Sequence, residues 1–346
     1  MAKENALGLS LGDYKGRPTT LCPGCGHNSI SNQITRMAFD LNIEQHNLLK
    51  MSGIGCSSKS PAYFLGKSHG FNALHGRMPS VATGALLSNR NLKSVAVSGD
   101  GDTGSIGFGQ FKHAIRRNVP FVYIIENNGV YGLTKGQFSA TAEEGLFLKY
   151  YGKNEFSQID LAMEAIIAGA TFVARSFSGD AKQVSALLEA AIRHSGTAVI
   201  DIISPCVTFN DRDTSFHSYA YGREHQVSLH DIQVLAPDYV PVKEEIDATQ
   251  VEGETIMVEM HDGSYLQLQE VEEDYDPRNR EQAITLLEKS TREQLFLTGL
   301  LYYEEPRPTL IQSEELVDTP LAHLTQKDLR PSKDALTDVL KEFMSN

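Results

Sequence analysis

Two kinds of hydrophobic period alternate through the middle of the chain. Ser94-Val95-Ala96-Val97, Phe121-Val122-Tyr123-Ile124-Ile125, Thr171-Phe172-Val173-Ala174 and Ala198-Val199-Ile200-Asp201-Ile202-Ile203 are short apolar runs of strand length. Between them Phe108, Phe111, Ala114 and Ile115 mark one helix, residues 158–169 a second and 180–194 a third; Val184, Leu187, Leu188, Ala191 and Ile192 form one face of the third. This alternation predicts βαβ units, and so an α/β fold with a parallel sheet flanked by helices. Right-handed crossovers put loops 99–110 and 126–137 at the same strand ends, where ligands bind in open α/β sheets. Upstream, Ile30, Ile34, Met37, Ala38 and Leu41 predict a helix opening near His27 and Asn28. Residues 53–80 read as loops and 81–87 as a short helix. Beyond about residue 220 the alternation stops. Two alternating runs then flank His261-Asp262-Gly263, a hairpin signal, and a helix near 278–290 and a Pro-containing tail follow. The expected organisation is a polar arm over 1–20, an α/β domain over 21–220 and a C-terminal hairpin and helix extension over 221–346.

At 346 residues, with 41% hydrophobic and 22% charged side chains, the chain can bury a full core. No run of about 18 apolar residues is present, so no membrane span is expected. The opening residues lack a basic start followed by an apolar run, which leads us to expect no secretory signal and a cytoplasmic setting. Disulfides are rare there, which turns the four cysteines towards metal chemistry. A net charge of −13 argues against a nucleic-acid partner. Twelve Asp and Glu against one Lys fall within 243–276, a segment that reads as solvated surface.

The cysteines lie in C-P-G-C-G-H (Cys22, Cys25), G-I-G-C-S-S-K (Cys56) and S-P-C-V-T-F (Cys206), each with Gly or Pro within two residues. Four thiolates can close a tetrahedral zinc site or hold a four-iron cluster, and the spacing alone leaves both open. The strand-end loops carry a different chemistry. Gly99-Asp100-Gly101-Asp102 offers glycines for close backbone approach to phosphates and a carboxylate for a hard cation. Asn127-Asn128-Gly129-Val130, one helix and one strand later, offers amide and carbonyl oxygens.

G-D-G followed by N-N at this distance resembles the thiamine diphosphate motif. That resemblance assigns Asp100, Asn128 and the carbonyl of Val130 to Mg²⁺, with Gly101, Asp102, His75 and Leu133 around the cofactor. Adding C-P-G-C-G-H, G-I-G-C-S, His75-Gly76-Arg77, Ala82-Thr83-Gly84 and N-N-G-V-Y-G-L-T-K-G-Q (127–137), the chain resembles the β subunits of the 2-oxoacid:ferredoxin oxidoreductases over 18–220 and more loosely to about 305. The resemblance implies a thiamine diphosphate-binding fold and one [4Fe-4S] cluster on Cys22, Cys25, Cys56 and Cys206. It implies the reaction of a 2-oxoacid with coenzyme A and two oxidised ferredoxins to acyl-CoA, CO₂ and two reduced ferredoxins, reversible with a low-potential ferredoxin. The Glu that activates the cofactor in thiamine enzymes comes from a domain this chain lacks, so an α subunit is expected to supply it, in a dimer of αβ units. In members acting on 2-oxoglutarate, lysines at the places of Lys59 and Lys135 receive substrate carboxylates. Pyruvate enzymes tend to carry Gly at the place of Lys135 and a polar side chain at that of Leu133. The favoured conversion is therefore 2-oxoglutarate to succinyl-CoA. The alternatives are pyruvate or another 2-oxoacid, a non-redox thiamine decarboxylase or synthase subunit, and a zinc-stabilised binding module. His75, in its H-G-R context, is expected to touch the diphosphate or the reacting carbon.

Overall fold

The computed structural model describes residues 3–237, 254–260, 262–271, 275–305 and 307–344. An eight-stranded sheet forms its centre. From one edge its strands are Gln226–Ser228, Phe296–Tyr303, Phe172–Phe177, Ala198–Ile203, Val122–Asn127 (β4), Lys93–Gly99 (β3), Leu48–Ser52 (β1) and His69–Asn72 (β2). All neighbouring pairs are parallel except Phe296–Tyr303 against Phe172–Phe177, which is antiparallel. The parallel sheet flanked by helices is thus as the alternation predicts. The central strands carry Val, Ile and Ala on both faces because both faces are covered; β1, β4 and Ala198–Ile203 are buried along their whole length. Gly26–Asp40 packs on Ala181–Arg193, while Met78–Ser88, Phe108–Arg116 and Leu161–Ala168 pack in series. Loops 99–107 and 127–137 leave neighbouring strand ends, as right-handed crossovers require. No described helix is long and apolar enough to cross a membrane.

β2 is a strand within 53–80, where loops are expected, and three further segments differ from the expectation. The polar arm is strapped down: Tyr14 is fully buried, its hydroxyl donates to the Ile43 carbonyl at 3.0 Å, and its carbonyl accepts from the Leu65 amide at 2.7 Å. Phe296–Tyr303, assigned to the C-terminal extension, is a strand of the main sheet and is buried along its length. The Asp-Gly hairpin is present, with Glu254–Glu259 antiparallel to Tyr265–Val271 and Asp231–Leu235 completing a small second sheet. Within the acidic run between 243 and 276, residues 243–253, 261 and 272–274 lie outside the described residues.

The third difference is β1, and what hid it is Lys50. A lysine in a five-residue strand breaks the apolar signal, yet it is buried here. Its ammonium donates to the carbonyls of Pro61, Phe64 and Leu65 at 2.7, 2.9 and 2.9 Å. Burial draws its pKa down to about 8. These bonds close the turn that follows Cys56. Lys50→Met should leave three buried carbonyls without their donor and destabilise the fold by about 3 kcal/mol. The urea midpoint should fall at unchanged slope; an unmoved midpoint would show that water replaces the ammonium.

Candidate active site

Asp100 stands at the end of β3 and is 2% exposed. Its Oδ2 accepts hydrogen bonds from the Ser139 and Thr141 hydroxyls, the latter at 2.8 Å, and the Asn128 amide approaches Oδ1 at 3.4 Å. One strand away, Asn128 Oδ1 accepts from the Val130 amide at 3.1 Å and folds 127–130 into a tight turn. Gly129 needs to be glycine: its φ is +73°, and a Cβ there would come within 2.9 Å of His217 Nδ1. The Asn128 carbonyl accepts from Asn210 Nδ2 at 2.9 Å. The two loops named in the sequence therefore meet, as their spacing requires.

Asp102 has a different environment. Its Oδ1 accepts from the Gly76 amide at 2.7 Å, the Ile54 amide at 3.3 Å and His75 Nδ1, and its Oδ2 accepts from the Ser98 hydroxyl at 2.6 Å. Asp102 thus fastens the 53–55 and 75–77 loops to β3. Bonding to a carboxylate puts a proton on His75 Nδ1, and His75 lies edge-on to Tyr131 with ring centroids 6.0 Å apart.

These groups line one pocket. Asp100, Asn128, Val130 and Leu133 face it together with His75, Cys56 and two residues the sequence reading passed over, His27 and Glu126. Glu126 is fully buried and accepts from Ser60 Oγ at 3.0 and 3.1 Å, and His27 Nδ1 lies 3.5 Å away. Burial raises the Glu126 pKa well above the usual carboxylate range and lowers that of His27 to about 3. Burial thus biases both towards their neutral forms. Glu126 closes the apolar run of β4; a carboxylate at the end of such a run is the signal that could have marked it.

The thiols gather beside this pocket. A Cβ on Gly132 would sit 3.4 Å from Cys56 Sγ and 3.5 Å from Cys206 Sγ, at ordinary van der Waals contact, so Gly132 lies beside both thiols. Thr208 Oγ1 donates to Cys22 Sγ at 3.4 Å. Burial raises the Cys25 thiol to about 12, with the charges of Glu126, Cys206 and Cys56 adding to it against a bond from the His27 amide. Burial likewise raises Cys56 to about 11, where Cys206 and Cys22 add and Lys59 opposes, and it raises Cys206. All four cysteines therefore lie within electrostatic reach of one another. Among the described residues, no three His, Cys, Asp or Glu side chains converge closely enough to hold a single metal ion.

Lys59 and Lys135 stand outside the pocket wall. Lys59 Nζ donates to the Thr20 carbonyl at 3.1 Å. Lys135 is exposed, two residues past Leu133, and its φ of +78° is left-handed. That conformation suits glycine and is strained for lysine.

A polar network braces the loops from behind. Asn127 Nδ2 donates to Asp201 Oδ1 at 3.0 Å, so its Oδ1 is the acceptor facing the Thr141 hydroxyl at 2.8 Å and His217 Nε2 at 3.1 Å. His217 Nδ1 lies 3.1 Å from Glu143 Oε2. With an acceptor on each ring nitrogen, His217 is an imidazolium. Burial opposes this charge, but the bond to Glu143 outweighs it and raises the His217 pKa. Glu143 is held down to about 2, because the His217 contacts overcome its own burial. Arg175 pairs with Asp160 at 2.6 Å and Asp201 at 3.1 Å. No ion-pair partner is found for Asp100 among the described residues: its hydrogen-bond donors are neutral. Its uncompensated buried charge, with the Asn128 turn alongside, fits a hard cation.

The His217–Glu143 pair has a pH signature. The raised His217 pKa contributes stability that is full below the unfolded value of about 6.5 and is lost as pH rises through the folded value. The lowered Glu143 pKa contributes stability present above about 4.3 and lost as pH falls towards 2. Thermal unfolding should show stability falling as pH rises above about 6.5, and Glu143→Gln should flatten that fall. Equal slopes in parent and variant would mean that His217 is neutral.

Residues 53–202 match the family model of the thiamine pyrophosphate enzyme C-terminal TPP-binding domain. The chain is 43% identical over 194 residues to a 2-oxoacid:ferredoxin oxidoreductase subunit beta of Sulfolobus sp, covering 56% of this chain and 64% of the relative. It is 40% identical over 194 residues to the 2-oxoglutarate oxidoreductase subunit KorB of Mycobacterium tuberculosis, covering 55% and 51%. It is 36% identical over 197 residues to the 2-oxoglutarate synthase subunit KorB of Methanocaldococcus jannaschii, covering 56% and 72%. The matched segment thus spans less than two thirds of the first two of these relatives. Among solved structures, the 2-oxoglutarate:ferredoxin oxidoreductase from Magnetococcus marinus with 2-oxoglutarate, coenzyme A and succinyl-CoA bound aligns with a TM-score of 0.73 at 29% identity, over 98% of this chain and 99% of that one.

Proposed function

The chain belongs to the β subunits of the 2-oxoacid:ferredoxin oxidoreductases, and from that premise we propose that it carries the thiamine diphosphate, Mg²⁺ and one [4Fe-4S] cluster of a CoA-acylating oxidoreductase acting on 2-oxoglutarate. One observation carries the reading: Cys56 faces the same pocket as Asp100 and Asn128, so the thiol quartet and the diphosphate loops adjoin. When bound, thiamine diphosphate supplies an electron sink for decarboxylation, the cluster accepts single electrons, and coenzyme A takes the acyl group. Asp100, Asn128 and the Val130 carbonyl would hold Mg²⁺ with the diphosphate. Cys22, Cys25, Cys56 and Cys206 would hold the cluster. Metal binding would release the protons that burial keeps on these thiols.

Within this reading His75, oriented by Asp102, presents its other ring nitrogen for contact with diphosphate or substrate. Burial drives Glu126 and His27 on the pocket floor towards their neutral forms. The activating Glu and a wall of the pocket come from an α subunit, in a cytoplasmic dimer of αβ units that delivers electrons to ferredoxin. The two metal centres should separate by mutation. Asp100→Ala should abolish Mg²⁺-dependent thiamine diphosphate binding by calorimetry in the assembled complex and leave iron and sulfide unchanged. Cys206→Ala should do the reverse. A full four-iron content in Cys206→Ala would falsify the four-thiolate assignment.

The substrate rests on Lys135 and Lys59, which would turn in from the rim to meet the distal carboxylate and the one beside the keto group. Holding lysine in a left-handed conformation costs on the order of 1 kcal/mol that glycine avoids, and this supports a role for its ammonium. A charge-assisted bond in a closed site contributes on the order of 2–4 kcal/mol. Lys135→Gly should therefore reduce kcat/KM for 2-oxoglutarate by roughly 30- to 1000-fold, without loss of thermal stability. Activity on 2-oxobutyrate should fall less. Equal loss on both substrates would show that Lys135 supports the loop and does not select the dicarboxylate.

A further inference from the structure

We propose that Asn210 is a positioning residue that locks the Asn128 turn and the Cys206 loop against each other, so that one side chain sets both the cation ligands and the redox centre. This rests on the reading that Asp100, Asn128 and Val130 hold Mg²⁺ with thiamine diphosphate and that the four thiols hold a cluster. The residues that line the cofactor pocket do not include Asn210, so it acts through its neighbours.

Side-chain direction is the first argument. Asn210 is 1% exposed, and its Nδ2 donates to the Asn128 carbonyl at 2.9 Å. A carbonyl only accepts, so the amide cannot be turned over: the nitrogen faces Asn128 and Oδ1 faces away. Oδ1 is buried and has no hydrogen-bond partner among the described residues. An apolar side chain of similar volume would leave one buried acceptor open, the Asn128 carbonyl. Asn210 also leaves one open, its own Oδ1. The amide therefore contributes direction rather than a better hydrogen-bond total. The fit is close, since a Cβ on Gly129 would sit 3.0 Å from Nδ2. Among the described residues no other hydrogen bond joins 206–210 to 127–130.

The backbone of the same residue is the second argument. The Asn210 amide donates to the Cys206 carbonyl at 2.9 Å, and the two residues form an isolated antiparallel bridge. Burial raises the pKa of the Cys206 thiol, and backbone hydrogen bonds from Phe209, Thr208 and Asn210 oppose that rise. Donors on a ligating sulfur raise the potential of an iron–sulfur cluster, because they stabilise its more negative, reduced state. Asn210 is thus the outer partner of both centres. It holds the carbonyl that begins the Mg²⁺ turn, and it closes the loop whose amides face the Cys206 sulfur. Outer partners of this kind fix the direction of the ligands they support.

The test uses the complete αβ complex with Asn210→Asp, which keeps the volume and removes the donor, and with Asn210→Ser, which is shorter and uncharged. Cofactor affinity is read by calorimetry with thiamine diphosphate and Mg²⁺. The cluster is read by its iron content, its midpoint potential and the low-temperature EPR spectrum of the reduced form. The expected result in both variants is roughly 10- to 100-fold weaker cofactor binding, a lower midpoint potential and an altered spectrum, at unchanged iron content. Serine carries no charge, so a fall in potential shared by both variants reports the lost tether. Thr208→Val, which removes only the hydroxyl bond to Cys22 Sγ, should alter the cluster signals and leave cofactor affinity within about twofold of the parent. Parent-like cofactor affinity in Asn210→Ser would overturn the proposal. So would weakened binding with the cluster signals unmoved, which would confine Asn210 to the Mg²⁺ turn, or failure of both variants to assemble, which would make it a folding residue. A parent complex that binds no thiamine diphosphate or carries no iron would instead bring down the reading on which the proposal rests.

Discussion

Burying a carboxylate obliges the chain around it to supply donors, and Asp102 turns that obligation into architecture. Its two oxygens collect the Ile54 and Gly76 amides, His75 Nδ1 and the Ser98 hydroxyl. These donors come from three separate stretches, the turn after β1, the loop after β2 and β3 itself. None of the loops has enough apolar surface to fix its own path, since 53–80 is rich in Gly, Ser and His. Left without donors, a buried carboxylate of this kind would be strongly unfavourable. The loops that carry Cys56 and His75 are therefore positioned by one acid two residues from the residue proposed to meet Mg²⁺. Gly53 is part of this device, because a Cβ there would overlap Asp102 Oδ2.

The pair Asp100 and Asp102 shows how neighbouring identical side chains take opposite roles. Asp102 spends its charge on the protein. Asp100 receives neutral hydroxyls from Ser139 and Thr141 and keeps its charge. The other buried carboxyls at these strand ends are also accounted for. Glu143 faces His217, Asp160 and Asp201 share Arg175, and burial pushes the Glu126 pKa well up. By this comparison Asp100 is the buried carboxylate at these strand ends without an ion-pair partner among the described residues.

How much of this was legible in the sequence follows the physics of each feature. The parallel sheet, its crossovers and the meeting of 99–102 with 127–130 were readable, because periodicity and strand-end geometry are local rules. The cysteines were readable as a group, since their residue types and glycine or proline neighbours stand out. β1 was not, because Lys50 interrupts it and its three carbonyl partners lie 11 to 15 residues away. Phe296–Tyr303 was missed because it joins the sheet antiparallel, with Gly299 at a φ of +127° and a register shift. His217 and Glu143 were illegible for a third reason: their partnership spans 74 residues and connects two loops with no period at all.

The network behind the loops ties the Asp100 turn to the thiols. Thr141 bonds both Asp100 and Asn127, and Asn127 bonds both His217 and Asp201. On the opposite side, Gly129 packs against His217, and the backbone that continues from Gly129 reaches Gly132, between Cys56 and Cys206. One short stretch, 127–132, thus lies against the braced imidazolium at its start and the thiols at its end. A shift of that stretch moves the proposed Mg²⁺ ligands and the thiol pocket together. A rigid brace of charged pairs holds such a stretch better than apolar packing would, because hydrogen bonds fix direction as well as distance. The Asp100 turn and the thiols are thereby held side by side by one braced stretch of backbone.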